Sequence, residues 1–156
     1  MTKLRPLHKL VLVFAAATLA LASTASLAQD KNPTPEERAY KFRTSLFQTF
    51  GFKFGRLMAA QAAGDEALFK KHATDLGYLA TMLEEGFEIE NSLPEGTEAK
   101  PNIWEDKDGF VEKAEVLRTA AAGLTEDGAM AEFNPRDFGS KNCGGCHREY
   151  RIKKDQ

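Results

Sequence analysis

The chain has little of what most chemistries require. Cysteine occurs twice and histidine three times in 156 residues. A structural zinc site takes about four such ligands. With His8 in a leader segment, only His72 and His147 remain to join the two thiols. There is no phosphate-binding glycine loop, and no serine or cysteine nucleophile stands paired with a base. That leaves no catalytic constellation, and the expectation is a protein that is not an enzyme. No stretch alternates at strand period, and no βαβ pattern is present. Basic residues hold no excess either. The 21 Lys and Arg face 23 Asp and Glu, a formal charge of −2, which gives no support for nucleic-acid binding.

A long apolar run is also missing. Leu10 to Ala22 is too short and wrongly flanked for a stable membrane span. Lys3, Arg5 and Lys9 precede it, and Ser26-Leu27-Ala28 supplies small residues before a cleavage site. This reads as a secretory signal peptide over residues 1–28; the alternative is a retained membrane anchor. Cleavage after Ala28 leaves residues 29–156 as one small domain with no membrane span. Its 18 basic and 23 acidic residues give a formal charge of −5.

Both cysteines lie in one place, Cys143-Gly144-Gly145-Cys146-His147. Two cysteines two residues apart, followed at once by histidine, is the attachment pattern of c-type haem. Each thiol adds to one vinyl group of the porphyrin. On a helix the three side chains stand at i, i+3 and i+4 and project from one face. Two sulfurs then hold the ring while His147 reaches the iron as axial ligand. A dithiol redox pair would want the absent βαβ pattern. Half a zinc site or a plain disulfide are the other readings. Bacterial c-type haem is attached outside the cytoplasm, so the leader and the motif agree on the periplasm.

The rest reads as helices. Thr34-Pro35-Glu36-Glu37 is a capping box with proline at the first helical position, opening a helix that runs to Ala63 with Gly64 as its stop. Phe42, Leu46, Phe50, Phe54 and Leu57 follow its period, and Phe47, Gly51, Gly55 and Met58 line a neighbouring face. Two glycines four apart lower helix propensity and let a backbone or a flat ligand come close. Asp65 caps a second helix to about Glu85, with Leu68, His72, Leu76, Leu79 and Leu83 inward. The connection over 86–103 is long, which suits a segment packed over the core or the haem edge. A third helix spans about Asp106 to Ala122. A fourth starts at Asn134-Pro135 and runs through Arg151. Four helices with one long crossover predict an all-α, antiparallel four-helix bundle, whose interior can house a haem between facing helices.

In these features the chain resembles cytochrome c′, the four-helix class of c-type cytochromes. The residues that carry the likeness are Lys41-Phe42-Arg43, Phe54-Gly55-Arg56, Pro101-Asn102-Ile103-Trp104, and Cys143 to His147 followed by Tyr150-Arg151. The stretch Gly86 to Ala99 and the Asn134-Pro135 pair depart from the family's pattern. The resemblance implies one covalently attached haem c with thioethers at Cys143 and Cys146 and His147 on the iron. It implies that Arg43 pairs with a haem propionate, as suits a guanidinium fork. It places Arg151 on the proximal side, near the imidazole. It also implies a homodimer through the first two helices; the Gly51/Gly55 face would serve there or beside the haem.

The distal residue of the family lies one helical turn after the propionate arginine. Counting four from Arg43 gives Phe47, with Leu46 or Gln48 one step off register. Low-spin relatives carry a methionine there; the family more often has leucine. Neither phenylalanine nor leucine can ligate iron. Met58 lies roughly 16 Å further along the helix. The expectation is a five-coordinate haem with an apolar distal pocket. Such a pocket favours nitric oxide and carbon monoxide over oxygen, because bound oxygen gains from a distal hydrogen-bond donor. The protein would also exchange electrons with an unidentified redox partner. The rival is a six-coordinate, low-spin electron-transfer cytochrome of the same fold. A further rival is a haem-free helical protein with a redox-active cysteine pair. A cavity beside His147, lined by Phe47 and Arg43, is expected inside the bundle.

Overall fold

A computed structural model of the protein describes residues 32–153; the expected leader lies outside them. Helix α1 spans Pro35–Ala63. Its first turn closes as the capping box requires. Glu37 N–H donates to Thr34 Oγ1 at 3.2 Å, and Thr34 N–H donates to the Glu37 carboxylate at 2.7 Å. Gly64 ends it at φ +69°, a left-handed conformation that a side chain would strain. Asp65 then accepts the Leu68 N–H at 2.9 Å and starts α2, Glu66–Thr81. This helix stops a turn short of the expected Glu85. A 3₁₀ turn over Glu84–Phe87 takes the chain against α1 instead. A Cβ at Gly86 would lie 2.8 Å from the Arg43 Cβ, so only glycine admits that approach.

Asp106 accepts the Gly109 N–H and opens α3, Lys107–Gly123. The last helix, α4, starts at Asn134, whose side chain accepts the N–H groups of Arg136 and Asp137. It is not continuous. An α turn, Pro135–Phe138, passes through a π turn, Gly139–Cys143, into a second α segment, Gly144–Tyr150. A π turn inserts a residue and rotates the next segment about the helix axis. Arg151, expected inside the helix, is extended at φ −113° and ψ 135°. It forms an antiparallel bridge with Ala99, the sole β pairing among the described residues.

The result is a four-helix bundle whose buried side chains form two clusters. The larger joins Leu46, Leu57, Phe69, Leu76 and Leu117 with Phe133 and Phe138. The smaller comprises Phe87, Ile103, Phe110 and Tyr150, with Trp104 and Cys146 against it. Burying one such side chain contributes about 1.5–3 kcal/mol. α2 approaches α3 closely through small residues; a Cβ at Gly77 would sit 3.9 Å from that of Ala121. No helix among the described residues is long and apolar enough to cross a membrane.

Candidate haem-binding site

Side chains of both clusters wall a cavity of about 640 Å³. Apolar groups dominate its surface, as in sites that bury a small ligand or cofactor. From α4 come Cys143, Cys146 and His147, all three on the same wall. From α1 come Tyr40, Arg43, Thr44, Phe47, Gly51 and Phe54, spaced three and four apart. Arg151 and Glu98 border the cavity from the segment around the Ala99 bridge. The structure thus brings Cys143, Cys146, His147, Arg43, Phe47 and Arg151 around one space. No methionine lines the cavity among the described residues.

Phe47 presents its ring to His147, with centroids 6.0 Å apart and the planes at 64°. Leu46 instead turns into the larger core cluster, 5% exposed. Gln48 also borders the cavity, next to Phe47. The glycine face divides. Gly51 borders the cavity and Gly55 does not, and a Cβ at Gly51 would meet nothing within 4 Å.

Arg43 is buried, and all four N–H groups of its terminal nitrogens are engaged by the crossover. Nη1 donates to the Gly86 carbonyl and to Ser92 Oγ, both at 3.3 Å; Nη2 donates to the Ser92 carbonyl at 2.5 Å and to Thr97 Oγ1 at 3.1 Å. Its guanidinium also sits 5.4 Å from the Tyr40 ring centroid and 5.3 Å from that of Phe87. The acceptors are neutral, and burial lowers its pKa without discharging it. In this arrangement Arg43 clamps the 86–97 segment as a wall of the cavity.

Burial, with a further push from Arg151 opposed by Glu98, lowers the pKa of His147 and keeps its imidazole neutral. A neutral imidazole nitrogen is a metal ligand. Burial raises both thiols, that of Cys146 to about 11. Both cysteines are free. Thiols held protonated are the opposite of the low-pKa pair that a dithiol oxidoreductase uses. Among the described residues no three His, Cys, Asp or Glu side chains group as a metal cage. Two thiols and a neutral imidazole on one wall of an apolar cavity, faced by a helix with a bare glycine, fit a covalently held haem. Cys143 and Cys146 would carry it and His147 would meet its iron.

Sequence reading missed Tyr40, Thr44, Glu98 and Lys113, which also border the cavity. Tyr40 and Thr44 stand at helical spacing from Arg43 and Phe47, and that period would have found them. Glu98 carries no local signal, because its partner Arg151 lies 53 residues away. His72, which the sequence places on the inner face of α2, is buried away from this cavity.

A family model described as Cytochrome C′ matches residues 38–151. Cytochrome c-554 of Cereibacter sphaeroides is 31% identical over 96% of this chain and 99% of its own. Among solved structures, cytochrome c prime from Shewanella frigidimarina superposes with a TM-score of 0.65 at 27% identity, covering 78% of this chain and all of that one. Cytochrome c prime from Alcaligenes xylosoxidans, a ferrous variant with bound NO, gives a TM-score of 0.63 at 25% identity, covering 76% of this chain and 97% of that one.

Proposed function

This chain belongs to the cytochrome c′ family of c-type haem proteins, and from that premise we propose that it is a periplasmic protein binding nitric oxide and carbon monoxide and able to exchange electrons. The observation that carries the reading is the identity of the residue facing His147. Phe47 stands there, and its ring has no atom that can ligate a metal. Haem c, when bound, supplies an iron that changes valence and takes up small diatomic ligands at an open position.

The protein's own residues set the terms. Cys143 and Cys146 would hold the haem to α4, and His147 would offer its iron a neutral nitrogen. Phe47, 38% exposed, would present only apolar surface to a ligand bound on its side of the cavity. It offers no N–H or O–H to a bound partially negative oxygen, so ligands that do without such a donor are favoured. Arg43 fixes the 86–97 segment as a wall of the cavity, so a haem propionate would meet it only in exchange for one of its protein acceptors, and Arg151 borders the same cavity. A relative solved with bound NO supports the ligand class.

Leader cleavage after Ala28 delivers the domain to the periplasm, where the thioethers form. A homodimer through α1 and α2 completes the reading. The test is titration of the reduced, haem-bearing protein with nitric oxide and with oxygen. Saturable nitric oxide binding without a stable oxygen complex is expected. Spectra that nitric oxide leaves unchanged would overturn the proposal.

A further inference from the structure

Arg151 leaves α4 one turn after His147, its N–H still donating to the His147 carbonyl at 3.1 Å. Its side chain does not project freely. Nε donates to the Glu98 carboxylate at 2.6 Å, and a terminal nitrogen contacts the same oxygen. The backbone repeats the pairing, since the Ile152 N–H donates to the Glu98 carbonyl at 2.7 Å and the Lys100 N–H to the Tyr150 carbonyl at 3.0 Å. Glu98 is therefore held at a fixed place by the bridge, and its side chain holds Arg151 in turn. Both side chains border the cavity that contains His147.

We propose that Glu98 is a positioning residue for the proximal side: its carboxylate fixes the Arg151 guanidinium on the crossover and offsets its charge beside His147. The proximal face then meets a neutral pair rather than a loose cation. This rests on His147 being the axial ligand of a covalently bound haem. Both charges, of opposite sign, border the cavity that His147 also lines. Removing one member exposes the other's charge to the metal. A cation left alone favours the reduced, less positive iron; an anion left alone favours the oxidised one.

The experiment is a spectroelectrochemical midpoint potential for wild type, Glu98→Gln, Arg151→Gln and the double variant, each first checked for covalent haem. Glu98→Gln is expected to raise the potential and Arg151→Gln to lower it, each by a roughly threefold to tenfold change in the ferric-to-ferrous ratio at fixed poise, or about 30–60 mV for one electron. The double variant is expected near wild type, and Glu98→Asp is expected to retain most of the effect. Shifts of the same sign in both single variants, or none, would overturn the proposal, because a merely structural loss has no reason to reverse sign. If Glu98→Gln does not fold, Arg151→Gln alone decides: a lowered potential supports the pairing and an unchanged one refutes it. Wild-type protein without covalent haem would overturn the underlying reading. Haem-bearing protein with unmoved potentials would overturn this inference alone.

Discussion

The Phe47 ring meets the His147 imidazole edge-on at the border of the cavity, 6.0 Å between centroids. The two residues come from α1 and α4, 100 positions apart, and the bundle brings them into edge contact. One is the nitrogen ligand expected for the iron and the other has nothing to donate.

Replacing Phe47 by methionine tests that relationship. A thioether at this position is expected to occupy the sixth site. The reduced protein should acquire sharp low-spin bands and lose its response to carbon monoxide. Spectra that remain sensitive to carbon monoxide would show that Phe47 does not face the iron.

Arg43 is expected to matter for stability before it matters for any ligand. Arg43→Leu leaves the Gly86 and Ser92 carbonyls and two hydroxyls without their donor in a buried place. A loss of about 3 kcal/mol in denaturant unfolding is expected. Gly86→Ala should weaken the same junction by about 1–3 kcal/mol through overpacking against Arg43. Unaltered midpoints in both variants would contradict the clamp.

Acid lability should have two separate windows. His72 is buried with its Nδ1 3.5 Å from an Asp75 carboxylate oxygen, and burial, aided by Lys53 and Lys71 and opposed by Asp75, lowers its pKa below 6.5. The unfolded chain binds its proton first, so this contribution is full above pH 6.5 and is lost as pH falls below it. Asp75, bonded to Lys53 at 2.6 Å and Lys71 at 3.0 Å, is held down to about 2 from 3.8. Its contribution is present above pH 3.8 and disappears as pH falls through about 2. In stability measured against pH, His72→Leu should flatten the upper window, whereas Asp75→Asn should remove the lower one and, by taking away the carboxylate beside His72, also alter the upper. A His72→Leu profile that keeps the upper slope would show that another group causes it.

Tyr150→Phe should loosen the joint between α3 and α4. Its hydroxyl donates to the Asp106 carboxylate at 2.6 Å, and that carboxylate also caps α3. A loss of about 1.5–3 kcal/mol is expected in chemical unfolding, the range for a hydrogen bond to a charged group.

Much of the fold was legible in the chain because its signals are local. Thr34 to Glu37 and Gly64 define α1 at both ends, and the Cys143–His147 spacing names its cofactor. Four residues on from Arg43, Phe47 borders the cavity, while Leu46 turns into the core. The features that were not legible depend on contacts distant in sequence. α2 ends early because Gly86 lets the chain close on Arg43. Arg151 leaves the helix because Glu98 and Ala99 pair with the residues after Tyr150. Two of the four acceptors of Arg43 are backbone carbonyls, which have no signature in a sequence, and the other two are hydroxyls 49 and 54 residues away.

The absorption spectrum of the reduced wild-type protein, with and without carbon monoxide, tests the central claim most directly. Phe47 opposite His147 predicts broad high-spin bands that carbon monoxide converts to a new, saturable spectrum. Sharp low-spin bands that carbon monoxide leaves unchanged would mean that a protein side chain closes the iron and that the ligand-binding account is wrong.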